Sequence, residues 1–135
     1  MGQTRNIELA RELLAALAAG GHPDAIAALF ADDARFEIPG DVGVLPWIGH
    51  RSGRRAVADF IASTRAMTEP LTFEVEDVTA SDARAVIVGE LATRIKATDK
   101  VVETAFAIVL TISDDRIVRF QMLEDSFAVS LAGRS

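Results

Sequence analysis

A change of hydrophobic period at Pro70 constrains this chain more than any other feature. Before it, apolar residues recur every three to four positions; after it, they alternate. Proline cannot continue a helix, so the chain divides into a helical half and a strand half. In the first half, Ile7, Ala10, Leu13, Leu14 and Leu17 mark a helix over residues 4–19, with Thr4 as its N-cap and Gly20-Gly21 as its stop. Pro23 opens a short second helix over 23–31, with Ile26, Leu29 and Phe30 as its stripe, closed by Asp32-Asp33. "ARFEI" (34–38) reads as a short strand ended by Pro39-Gly40. Residues 39–53 hold two prolines and four glycines and read as a loop. Ser52 would cap a third helix from Gly53 to about Met67, with Val57, Phe60, Ile61 and Thr64 on one face.

Beyond Pro70, "LTFEVEDV" (71–78) alternates Leu71, Phe73 and Val75 against Thr72, Glu74 and Glu76. A long strand follows "ASD", with Ile87, Gly89, Leu91, Thr93 and Ile95 on one face. After "TDK", Val102, Thr104, Phe106, Ile108, Leu110 and Ile112 share a face. "SDDR" turns into the last strand, "IVRFQMLED". Short polar turns between consecutive strands predict an antiparallel meander. Helices followed by strands predict an α+β fold, with three N-terminal helices on one face of a curved sheet.

At 135 residues the chain makes one domain, 1–135. It has no cysteine, which excludes disulfides, thiolate metal sites and a cysteine nucleophile. Its two histidines, His22 and His50, are too far apart in sequence for metal-ligand spacing, and no cofactor-binding motif is present. A net charge of −6 argues against nucleic acid and anionic membranes as partners. The one basic cluster, Arg51, Arg54 and Arg55, lacks interleaved aromatics. No apolar run reaches the ~20 residues a bilayer span needs, and no secretory leader is visible, so a cytoplasmic location is expected.

Three stretches carry a family resemblance: "FADDARFEIPG" (30–40), "PWIGHRSGRRAVADFI" (46–61) and "DDRIVRFQMLEDSFAV" (114–129). Together they resemble the SnoaL-like and ketosteroid isomerase-like branch of the nuclear transport factor 2-like superfamily, over nearly the whole chain. The resemblance implies a cone-shaped, mainly antiparallel (mixed) sheet wrapped around the helices, an apolar pocket at its open end, and a homodimer through the sheet's outer face. It implies isomerase, cyclase or hydrolase chemistry without a cofactor, or binding of a small apolar molecule without turnover, or a dimeric association module. Ile38 stands where the steroid isomerases carry their general-base aspartate, and Ile108 where they carry their second acid. The protein has no tyrosine to serve as theirs. The catalytic positions of limonene-type epoxide hydrolases fall at Met122 and near Gly89 and Leu91.

The candidate acid–base groups are therefore Glu124, Asp125 and Glu37. Period 2 puts Val118, Phe120, Met122 and Glu124 on the pocket face, and Arg119, Gln121, Leu123 and Asp125 on the other. A bulge at the strand end would exchange Glu124 and Asp125. A carboxylate held against Phe120 and Met122 would have its pKa raised and could serve as a base near neutrality. Alternatively, Asp125 fixes the C-terminal turn by accepting backbone N–H bonds. Glu37 lies between Phe36 and Ile38, as a pocket residue or as an outward-facing one. His50 is an acid–base candidate or a solvated loop residue. Trp47 either lines the pocket or fastens the loop. The pocket lining expected is Phe36, Trp47, His50, Phe60, Phe106, Ile108, Phe120 and Met122.

Overall fold

The computed structural model describes residues 2–135. Its elements are α1 (Gly2–Ala18), α2 (Pro23–Ala27), β1 (Phe30–Ile38), β2 (Gly49–Ser52), α3 (Arg54–Met67), β3 (Thr68–Ala80), β4 (Arg84–Ile95), β5 (Lys100–Ser113), β6 (Arg116–Glu124) and α4 (Ser126–Gly133). The strands form one six-stranded sheet in the order β2-β1-β6-β5-β4-β3. All neighbours are antiparallel except β1 and β6, which run parallel. The α+β architecture, the strand meander and the mixed sheet are those expected from the sequence.

Several local boundaries differ. Thr4 lies inside α1 and does not cap it. Helix α2 ends at Ala27, and Asp32 and Asp33 belong to β1 as exposed strand residues. Pro23 does start α2, and His22 is its N-cap, with Nδ1 accepting from the Asp24 N–H at 3.1 Å. Gly53, not Ser52, caps α3; its φ of 94° favours glycine. Ser52 is spent on β2, an edge strand within the expected loop. Strand β3 begins at Thr68, and Pro70 is tolerated because β3 is the other edge of the sheet. Helix α4 is an additional element.

Alternation sorts the sheet into a concave, buried face and an outer face. Ala34, Phe36 and Ile38 of β1, Ala85 and Ile87 of β4, Phe106, Ile108 and Leu110 of β5, and Phe120 of β6 are buried and form the concave face. Leu9, Ala10 and Leu13 of α1 and Val57, Ala58 and Ile61 of α3 complete this core. Asn6 ties α1 to the β3–β4 turn by donating to the Ser81 and Asp82 carbonyls at 3.0 and 3.1 Å. Val118, expected on the concave face, is the extra residue of a bulge: Thr111 pairs with Arg119 and Ile112 with Ile117. Ile117 takes the fully buried place instead. The bulge precedes Phe120, so the alternation that follows it is unbroken to Glu124.

Candidate active site

The concave face climbs from an aromatic floor to a carboxyl. At the floor Phe36 and Phe120 stack with ring centroids 4.6 Å apart and planes 3° from parallel. Phe60 of α3 closes on Phe36 at 4.8 Å. Trp47 meets Phe60 edge-on at 6.4 Å, buried, so the loop before β2 is fastened to the core. Above this floor Ile108 pairs with Met122, and above them Phe106 pairs with Glu124. Phe73 of edge strand β3 stacks on Phe106 at 4.9 Å, yet remains half exposed. The β4 position between them must be glycine. A Cβ on Gly89 would lie 2.0 Å from the Glu74 carbonyl oxygen and 3.0 Å from Phe106 Cζ.

Glu124 thus ends an apolar wall. Among the described residues its carboxyl has no hydrogen-bonding or ion-pairing partner. Burial without compensation raises its pKa to about 7. A carboxyl with that pKa is present in both forms near neutral pH, which is what a general acid–base group needs.

Asp125 performs a different task. Its Oδ1 accepts from the Ala128 N–H at 3.0 Å as the N-cap of α4. Its own N–H donates to Thr104 Oγ1 at 2.9 Å. Helix α4 then packs beside the sheet through Val129 and Ala132. Thr98 Oγ1 donates to the Ala132 carbonyl at 2.5 Å, and Asp41 of the long loop accepts from Ser130 Oγ at 2.6 Å. Capping by Asp125 therefore fixes the helix that follows Glu124.

Glu37 and His50 do not join this wall. Phe36 faces inward, so Glu37 faces the outer side of the sheet, and His50 stands opposite it on β2. Glu37 is nevertheless buried, because Arg119 covers it with two hydrogen bonds, Nε to Oε2 at 2.6 Å and Nη2 to Oε1 at 2.8 Å. Those bonds, opposed by desolvation, hold the Glu37 pKa below the usual carboxylate value. The pair bridges β1 and β6 in a way that their parallel register allows and that sequence order does not reveal. Of the expected lining, Phe36, Trp47, Phe60, Phe106, Ile108, Phe120 and Met122 gather on the concave side with Glu124, and His50 lies across the sheet from them. Phe73, whose side chain alternates with Glu74, joins this face by stacking on Phe106. No group of three or more His, Cys, Asp or Glu side chains able to hold a metal is found among the described residues, and no helix among them is long and apolar enough to cross a membrane.

The profile of the SnoaL-like domain matches residues 10–120. No curated protein matches the chain. Among solved structures, a nuclear transport factor 2-like protein from Burkholderia xenovorans LB400 is 23% identical with a TM-score of 0.87, over 98% of this chain and 98% of that one. A protein from Xanthomonas campestris pv. campestris, provisionally assigned as a polyketide cyclase, is 16% identical with a TM-score of 0.77, over 99% of this chain and 100% of that one. A protein from Bacillus subtilis, provisionally assigned as an isomerase, is 19% identical with a TM-score of 0.77, over 96% of this chain and 92% of that one. At these identities the likeness shows the fold alone.

Proposed function

Because the chain belongs to the SnoaL-like domain family, we propose that it is a cofactor-independent proton-transfer enzyme of the isomerase or cyclase kind, acting on a small apolar carbonyl compound. One observation carries this reading. Glu124 ends an apolar wall without an electrostatic partner, beside Phe106 and Met122 and within reach of the half-exposed Phe73. A structural carboxylate is normally paired; an unpaired one in an apolar setting resists ionisation and is suited to exchanging protons. The substrate's apolar body would lie against Phe73, Phe106 and Met122. The Glu124 carboxylate would take a proton from the carbon next to the carbonyl. Returning that proton elsewhere on the skeleton gives isomerisation. Attack of the resulting carbanion on a second carbonyl of the same molecule gives cyclisation, the proton held by Glu124 passing to the alkoxide that forms. The provisional assignments of the Bacillus and Xanthomonas proteins are consistent with these two outcomes.

The test is a screen of apolar ketones and polyketide-like compounds, first for binding and then for exchange of carbon-bound hydrogen with deuterated water. Exchange should require Glu124 and fall by about 10²–10⁴ in Glu124→Gln. Binding without exchange would favour a non-catalytic carrier of the same ligand. Exchange undiminished in Glu124→Gln would remove the proposed base.

A further inference from the structure

The outer end of β1 and β2 carries a separate concavity of about 270 Å³, lined by Arg35, Glu37, His50, Arg51 and Ser52. It lies across the sheet from Glu124, and nothing in the proposed reaction uses it. Its floor is the buried Glu37, whose two oxygens are both taken by Arg119. Arg35 Nη2 and His50 Nδ1 each stand 3.6 Å from Glu37, close enough for attraction but too far for a hydrogen bond. Among the described residues, the side chains of Arg35, His50 and Ser52 make no hydrogen bond at all. Arg51 donates only to the Pro46 carbonyl. Two guanidinium groups, Arg35 and Arg119, thus face one carboxylate, and Arg51 lines the same concavity, in a chain whose net charge is −6. Local charge runs opposite to the whole, and several donors around one concavity are unused.

We infer that this concavity is a binding site for a small oxyanion group, a phosphate or carboxylate, held by Arg35, Arg51, His50 and Ser52. Each polar group plays a distinct part. Arg35 offers its planar fork for two parallel bonds to an oxyanion. His50 and Ser52 sit two residues apart on β2, on the same side of the strand. Glu37 does not repel the anion decisively, because Arg119 neutralises it. The volume admits the anionic group with a short carbon skeleton.

The protein itself reports on the site, because its two histidines are equally exposed, with side-chain exposures of 71% for His50 and 72% for His22. His22 caps α2 and serves as the internal control. The experiment follows both imidazole resonances by NMR while inorganic phosphate, or separately acetate, replaces chloride at constant pH and ionic strength. The expected result is a saturable shift of His50 with at least one of the two anions, while His22 stays still. The better probe distinguishes a phosphate from a carboxylate ligand. Arg35→Gln and Arg51→Gln, each checked for an unchanged backbone spectrum, should each weaken the response about ten-fold, the loss of one charge-assisted contact. The proposal is overturned if neither anion moves His50, if His22 moves in step with it, or if both variants keep the wild-type response.

Discussion

Phe106 and Glu124 stand directly opposite each other on β5 and β6, so a buried ring and a partner-less carboxyl share the concave face. The ring keeps water and countercharge from one side of the carboxyl. That relationship links fold to chemistry, and it has a cost in stability.

The cost depends on pH. Burial raises the Glu124 pKa from 4.5 to about 7 in the folded protein. A raised folded-state pKa favours folding while the group is protonated, so this stabilisation is complete below pH 4.5 and is lost as pH rises through about 7. The difference amounts to roughly 3 kcal/mol at most. Glu124→Gln should therefore gain stability over wild type above neutral pH and show a flatter profile between the two pKa values. Urea unfolding of both proteins across that pH range checks it; parallel profiles would contradict it.

Arg119 and Glu37 give the opposite dependence. The Arg119 hydrogen bonds lower the folded-state Glu37 pKa, so their contribution is present above Glu37's unfolded pKa and fades as pH falls through the folded one. Arg119→Ala should lower stability at neutral pH, because it leaves the buried Glu37 carboxylate without its two hydrogen-bond donors. The loss should shrink in acid. A pH-independent loss in urea titrations would mean that Arg119 stabilises by packing alone.

Phe120 stacks on Phe36 at the floor of the wall, with Phe60 and Phe30 also against it. Phe120→Ala should cost about 3–5 kcal/mol, and Phe106→Ala less, because Phe106 borders the half-exposed Phe73. Gly89→Ala should destabilise as severely as Phe120→Ala, since its Cβ would meet the Glu74 backbone, which cannot step aside as a side chain can. Unfolding midpoints of the three variants rank these effects.

The outer face of β4 and β5 presents Val86, Val88, Ala107 and Val109 as two adjacent cross-strand pairs. Glu74, Glu90 and Glu103 flank one side, and Arg119 and Arg35 lie toward the other. A two-fold axis through the apolar middle would set these valines and alanines against their copies. The expected light-scattering mass is that of two chains, falling to one in Val88→Arg. A mass of one chain for the wild type at micromolar concentration would contradict it.

The parts legible in sequence are those governed by periodicity. The helix–strand frontier, two residues ahead of Pro70, the meander and the inward direction of Glu124 all follow from counting residues along one element. What escaped depends on something else. Strand β2 has four residues, three of them exposed, and no alternation to read. Helix α4 was hidden because Asp125 reads as a turn residue; as an N-cap it begins a helix whose Val129 and Ala132 are buried. The bulge at Val118 is one extra residue that the hydrophobic pattern absorbs without trace. The Glu37–Arg119 pair joins residues 82 apart in sequence through a parallel pairing that no local pattern specifies.

Everything proposed for the concave face rests on Glu124 being an uncompensated carboxyl, and NMR titration of its side-chain carboxyl carbon, assigned by loss of the signal in Glu124→Gln, tests that directly. A midpoint at about 7 is the expected result. A midpoint at the ordinary value of 4.5 would show the group to be solvated or paired, and would remove it as the acid–base residue.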